Sequence, residues 1–141
     1  FWEDPGLSMP EDVEAAIRNH AVASYPRQCC GALLGPRRGV VERVVRLDTT
    51  SDASPRFFVS ADDYRQAEAR ASGSGQTVLG FYYSHADRPA TPTHSDAEQV
   101  WPDLSYVIVS ARNGRAEQLR SWRVQADRRA FEEERITRTE V

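Results

Sequence analysis

Hydrophobic positions along this chain recur with two different periods, and the period predicts the element in each stretch. Between Pro10 and about Ala23 the apolar residues fall at helical spacing, so we expect a first helix that ends at Tyr25-Pro26. Ser60 is suited to cap a second helix running to about Ala71, where residues 72–75 supply a Ser/Gly break.

Apolar, β-branched runs of strand length account for most of the remaining chain. Asn113-Gly114 is a strong turn signal between two such runs. The sequence leaves the secondary structure of the tail undecided, because residues 131–134 include helix formers while residues 136–141 alternate like an edge strand. Because hairpins dominate, the predicted fold class is α+β, with a mixed, mostly antiparallel sheet flanked by helices. The expected strands are 29–35, 40–47, 56–59, 77–83, 104–111 and 116–124.

The length, composition and charge of the chain limit the class of protein to which it can belong. At 141 residues it fits one domain, which we expect at 9–141 after an N-terminal extension at 1–8. The hydrophobic fraction of 40% is typical of soluble globular proteins, and the apolar runs are too short to cross a membrane. A net charge of −3 argues against nucleic-acid binding. The tryptophans Trp101 and Trp122 are expected to serve in packing.

The two cysteines, Cys29 and Cys30, are adjacent, and a disulfide between neighbours is strained. We therefore expect buried thiols in a reducing, cytoplasmic compartment. No charged-then-apolar leader is seen, so no secretory signal is expected.

Candidate chemistry is concentrated between Tyr83 and Asp96. His85 follows a predicted buried strand, a proline-rich stretch comes next, and Thr93 is placed to cap a helix whose first turn carries Asp96. An imidazole and a carboxylate brought together in this way are half of a catalytic zinc shell. The spacing alone equally allows a plain helix start preceded by an ordinary loop histidine.

Four segments stand in an order and separation that match a known family. They are Tyr25-Pro26-Arg27-Gln28-Cys29-Cys30-Gly31-Ala32-Leu33-Leu34-Gly35, Gly80-Phe81-Tyr82-Tyr83-Ser84-His85, Pro92-Thr93-His94-Ser95-Asp96 and Tyr106-Val107-Ile108-Val109-Ser110. They resemble the JAMM/MPN (Mov34/PAD-1) family of zinc isopeptidases, whose pattern is His-x-His, seven residues, then Ser-x-x-Asp, with an upstream Glu. The resemblance runs from about Met9 to Trp122, is closest to the bacterial branch and implies a cytidine-deaminase-like MPN/JAMM architecture.

The resemblance assigns roles residue by residue. His85 matches the second zinc-binding histidine, Asp96 the zinc-binding carboxylate, and Thr93 the serine that helps to hold the tetrahedral intermediate. Two positions depart from the pattern. Tyr83 stands where the first zinc-binding histidine belongs, and Gln28 stands where the general-base glutamate belongs.

These departures predict a metal site that is impaired in two ways. A general base contributes roughly a hundred- to ten-thousand-fold to the rate, and an amide cannot accept the proton. With Tyr83 in place of an imidazole, zinc binding is expected to be weak or absent, because a phenol must lose its proton before it binds the metal. His94 and Cys30 are minor candidates for a replacement ligand.

The resemblance also implies a partner, the C-terminal tail of a ubiquitin-like or sulfur-carrier protein. We expect the tail to add as a strand beside the strand leading into Tyr83. No nucleic acid or membrane is expected as a partner, and a homodimer is left open. Two functions follow: a JAMM/MPN protein with lost or strongly reduced peptidase activity, or an active zinc metallopeptidase whose non-standard shell uses Tyr83, His85 and Asp96.

Overall fold

The computed structural model describes residues 7–25, 29–37, 39–46, 61–87, 90, 104–124 and 131–139. In chain order the elements are β1 (Leu7–Pro10), α1 (Glu11–Ser24), β2 (Cys30–Gly35), β3 (Arg43–Arg46), α2 (Ala61–Gly73), β4 (Thr77–Ala86), β5 (Ser105–Arg112), β6 (Arg115–Val124), β7 (Phe131–Glu134) and β8 (Ile136–Thr139).

The main sheet has six strands in the order β3-β2-β4-β5-β6-β7. Neighbouring strands are antiparallel except β4 and β5, which run parallel. β1 and β8 form a separate parallel pair. The mixed, mostly antiparallel α+β prediction is therefore confirmed.

The two helices cover opposite faces of this sheet. On one face α1 packs through its apolar stripe, Val13, Ile17 and Ala21, against a core that includes Tyr82. On the other face α2 contributes Ala67 and Ala71 to a second core. Each helix has apolar residues at the spacing that its covering role requires.

Side chains of β4 enter both cores. Phe81 and Tyr83 belong to the core on the α2 face, whereas Tyr82, between them, belongs to the core on the α1 face. Successive strand residues point to opposite faces, so a strand covered on both sides is apolar throughout rather than alternating. This explains the continuous apolar run that predicted a buried strand.

The expected strand addition beside β4 is wrong. Residues 80–83 of β4 pair with β2 on one edge and with β5 on the other. A bound tail cannot form backbone hydrogen bonds along a strand whose two edges are already paired. Any tail that this chain binds must be held elsewhere than along this stretch.

Several boundaries differ from the predicted ones because pairing decides where elements end. β4 continues to Ala86, so His85 lies within the strand, paired in register with Ser110 of β5. α2 extends to Gly73, and the chain turns at Gly75 with a φ of 69°. The predicted strand at 56–59 lies outside the described residues.

The ends of the described chain are ordered by pairing with distant segments. Phe131–Glu134 forms a strand, β7, despite its helix formers, because it pairs with β6 and the buried Glu134 accepts a hydrogen bond from Ser121 at 2.7 Å. Leu7 and Ser8, assigned by sequence to an extension, belong to β1, and Leu7 is fully buried.

Asn113 and Gly114 adopt positive φ values of 51° and 79° in the expected hairpin turn. Neither described helix has the length and apolar character needed to cross a membrane.

Gly80 allows β4 and β5 to approach closely. A Cβ atom at this position would overlap the backbone carbonyl of Ser105, which is its in-register neighbour. We expect Gly80→Ala to lower the free energy of unfolding by about 1–3 kcal/mol, because a strand backbone cannot move aside as a flexible side chain can. Urea denaturation measures the change. Gly73→Ala is the matched control: nothing lies within 4 Å of its added Cβ, so we expect no loss of stability. Equal effects of the two changes would contradict this account.

His20 of α1 is joined to Tyr82 of β4 by a hydrogen bond of 2.7 Å between Nδ1 and the hydroxyl oxygen. Burial, and then the positive charge of Arg46, lower the pKa of His20. Burial is also the main cause of the raised pKa of Tyr82. Both groups are therefore neutral in the folded protein at pH 7.

This pair predicts how stability depends on pH. Below the ordinary histidine pKa of about 6.5 the unfolded chain takes up a proton at His20 that the folded chain resists, so stability falls as the pH falls. The free energy of unfolding, measured by urea denaturation at pH 7.5 and at pH 5.5, should fall less between these two pH values for His20→Asn than for the unchanged protein. Identical losses for the two proteins would mean that His20 is not the responsible group.

Candidate functional site

Tyr83 and His85 lie side by side on one face of β4. Residues two apart on a strand share a face, and here the ring centroids are 5.3 Å apart with planes inclined at 59°. Tyr83 is only 1% exposed and His85 only 4%. The structure therefore brings two of the predicted metal ligands together in a buried position.

The surroundings of Tyr83 are those of a packed core. Its in-register neighbours are Cys30 on β2 and Ile108 on β5, and all three belong to the same buried apolar cluster on the α2 face. Cys30, considered as a replacement ligand, is thus a strand neighbour of Tyr83, with its side chain almost fully buried. The phenol ring occupies space in this core rather than standing in open solvent.

The remaining predicted site residues, Gln28, Thr93 and Asp96, lie outside the described residues, as does His94. Their predicted roles stay predictions. The described residues that flank them show how the chain is held on either side of these positions.

Cys29 is attached directly to the site strand. Its backbone N–H donates to Ser84 Oγ at 2.9 Å, and the Ser84 N–H donates to the Cys29 carbonyl at 3.2 Å. These reciprocal bonds place Cys29 beside the residue that separates Tyr83 from His85. Position 28 is therefore covalently adjacent to a residue that is fixed at the site.

Both cysteines are buried and neither forms a disulfide, as expected. Burial raises the pKa of the Cys29 thiol, and a hydrogen bond with Ser84 only partly opposes that effect. A protonated, buried thiol is a poor nucleophile and a poor metal ligand. Cys29 therefore has a packing role.

Trp122 has a role that its strand pattern could not reveal. Its indole N–H donates to the carbonyl of Ala90 at 3.0 Å, and Ala90 is fully buried. The guanidinium of Arg120 lies 4.8 Å from the centre of the Trp122 ring and makes two hydrogen bonds with Glu133, at 2.6 and 2.8 Å. β6 thereby fixes the chain three residues before Thr93.

Among the residues that the structure describes, no cluster of three or more His, Cys, Asp or Glu side chains could hold a metal ion. The side chains in contact here are one imidazole and one phenol, with Cys30 as the strand neighbour of the phenol. Catalytic zinc sites use three ligands drawn mainly from His, Cys and carboxylates. Without a ligand from position 96, the donors among the described residues do not fit a catalytic zinc site. Position 83 also differs from such a site, because its side chain is a phenol.

Comparison with known proteins identifies the family. The family described as prokaryotic homologs of the JAB domain matches residues 10–125, which is most of the chain. This chain belongs to that family.

Among the curated relatives of this JAB-domain protein, one is named a peptidase and another a desampylase. The CysO-cysteine peptidase of Mycobacterium tuberculosis is 28% identical over 121 residues, covering 84% of this chain and 82% of the relative. The desampylase of Haloferax volcanii is 26% identical over 111 residues, covering 74% of this chain and 80% of the relative.

Solved structures agree on the fold. A solution structure of a protein from Salinibacter ruber matches with a TM-score of 0.75 and 35% identity, covering 95% of this chain and 92% of that one. A crystal structure of a JAB1/MPN domain protein from Archaeoglobus fulgidus matches with a TM-score of 0.66 at 14% identity, covering 96% of this chain and 100% of that one. The expected MPN/JAMM architecture is confirmed.

The bonds between Ser84 and Cys29 generate a testable expectation. Ser84→Ala removes the acceptor of a buried N–H, which should lower the free energy of unfolding by about 1–3 kcal/mol. Ser72→Ala, at an exposed position of α2, is the control and should leave stability nearly unchanged. Urea denaturation compares the two, and a loss no larger for Ser84→Ala than for Ser72→Ala would show that this contact does not anchor Cys29.

Proposed function

We propose that this JAB-domain protein binds the C-terminal tail of a ubiquitin-like or sulfur-carrier protein and has lost, or strongly reduced, the peptidase activity of its relatives. The observation that carries the proposal is Tyr83, a phenol packed beside His85 in an apolar core.

Two substitutions support the loss of chemistry. An active site of this family needs an imidazole at position 83 and a carboxylate at position 28, where this chain has Tyr83 and Gln28. A phenol must lose its proton before it binds zinc, and an amide can orient water but cannot take its proton. Each substitution alone would slow hydrolysis, and together they remove metal binding and proton transfer.

The names of the relatives support the choice of partner. One acts on CysO-cysteine and another is a desampylase, and we extend from these to a ubiquitin-like or sulfur-carrier protein as the class bound here. The two buried cysteines, neither of them in a disulfide, support a reducing, cytoplasmic setting. The homodimer that the sequence left open is not part of this proposal.

The alternative, an active peptidase with Tyr83 as a metal ligand, makes a different prediction about zinc. Zinc content is measured by mass spectrometry on protein purified without chelator, for the unchanged chain and for Tyr83→Phe, Tyr83→His and Tyr83→His with Gln28→Glu. We expect well below one equivalent of zinc in the unchanged chain and in Tyr83→Phe. Both variants that carry Tyr83→His should gain zinc.

Cleavage is measured on a ubiquitin-like sulfur carrier whose C-terminal Gly-Gly is joined to a short peptide. Only the double variant should cleave it, and a restored general base should account for about a hundred- to ten-thousand-fold of the rate relative to Tyr83→His alone. The double variant with His85→Ala is the inactive control. One tightly held zinc in the unchanged chain that is lost in Tyr83→Phe, together with cleavage, would overturn the proposal in favour of the active enzyme.

A further inference from the structure

Asp87 ends the site strand in an unusual backbone conformation. It follows β4 directly and has a φ of 57°, which residues other than glycine seldom adopt, although Asp and Asn tolerate it best. Its backbone N–H donates to the carbonyl of Ala111 on β5 at 2.7 Å. This bond fixes the chain two residues after His85.

The carboxylate of Asp87 joins two further segments to the end of β4. The hydroxyl of Tyr25 donates to it, lying 2.7 Å from one oxygen and 2.9 Å from the other, and the backbone N–H of Asn113 donates to it at 3.0 Å. Tyr25 caps the C-terminus of α1, and Asn113 lies in the β5–β6 turn. One side chain therefore holds a helix end and a hairpin turn against the strand end that carries His85.

Tyr25 is also the last described residue before Cys29, which is bonded to Ser84 of the same strand. The chain is thus attached to β4 at both Tyr25 and Cys29. The attachment at Cys29 is buried, whereas the attachment at Tyr25 depends on an exposed carboxylate.

The charge state of Asp87 agrees with these contacts. Hydrogen bonding by Tyr25, and then by the Asn113 amide, lowers the pKa of Asp87, and Arg112 adds a favourable positive charge. The same contact raises the pKa of Tyr25. At neutral pH an ionised carboxylate therefore faces a protonated phenol, which is the state in which this hydrogen bond is strong.

An exposed group of this kind contributes little to global stability. Strand ends, in contrast, open locally at low free energy unless they are held. A carboxylate that accepts from two donors at the end of β4 acts mainly on local opening near His85.

We propose that Asp87 is a positioning residue of the site: through Tyr25 and Asn113 it keeps the end of α1 and the β5–β6 turn aligned with the strand end that carries His85. The inference rests on the proposed function for its relevance to partner binding, but its structural part is testable without a partner.

The test is amide hydrogen exchange at pH 7 on the full chain, read at Cys29 and His85. Asp87→Gly keeps the backbone conformation and removes all side-chain contacts, so exchange at both amides should rise about tenfold. Asp87→Asn and Tyr25→Phe should give a smaller rise. Asn113→Gly is the matched control, because it retains the bonded backbone N–H and the positive φ, and it should behave like the unchanged protein.

A further readout separates positioning from general weakening. Exchange at Ala32 and Phe81, in the middle of the β2–β4 pair, should stay unchanged in every Asp87 variant. Unchanged exchange at Cys29 and His85 in Asp87→Gly, or an equal rise at Ala32 and Phe81, would overturn the proposal.

Partner binding distinguishes this inference from the proposed function. The probe is a ubiquitin-like sulfur carrier with a free C-terminal Gly-Gly, titrated calorimetrically into the unchanged protein and into Asp87→Gly. Weaker binding by Asp87→Gly supports both statements. If the unchanged protein does not bind while the exchange results hold, the proposed function fails and the positioning role stands. If Asp87→Gly binds as tightly as the unchanged protein, the positioning role does not extend to the partner and is overturned in that part.

Discussion

The structure depends on β4 having no free edge over its central residues and no solvent-facing side. β2 and β5 pair with its two edges, and the cores under α1 and α2 cover its two faces. Every side chain from Phe81 to Tyr83 must therefore fit a packed interior. Gly80 meets the same constraint at the backbone, where β5 approaches too closely for a Cβ atom.

The candidate site lies where this buried strand becomes polar. After Tyr83 come Ser84 and His85, and Ser84 continues the pairing with the preceding segment by bonding to Cys29. Two anchors then fix the chain beyond the strand, through Asp87 and through the carbonyl of Ala90. Among the described residues, hydrogen bonds between protein groups hold the chain around Tyr83 and His85.

Much of the fold follows from local patterns in the sequence. The helical spacing of Val13, Ile17 and Ala21, the β-branched runs and the Asn113-Gly114 turn each specify their own element. The period of two along a strand also places Tyr83 and His85 on one face. The family resemblance then locates the site, because its motifs cover the strand and both flanking segments.

Other features depend on contacts between distant parts of the chain and have no local signal. Phe131–Glu134 is a strand only because β6 offers it an edge, and Leu7 enters the core only because β1 pairs with β8. The bonds made by Trp122 and by Asp87 likewise join residues far apart in sequence. The occupied edges of β4, which exclude the expected strand addition, required knowledge of strand order.

The most direct test of the central claim is a crystal structure of the unchanged protein grown with zinc, with anomalous diffraction measured at the zinc absorption edge. The account predicts a Tyr83 ring packed in the core beside Cys30 and Ile108, and no anomalous peak bonded to both Tyr83 and His85. A full-occupancy peak about 2 Å from the Tyr83 oxygen and from an imidazole nitrogen of His85 would contradict it.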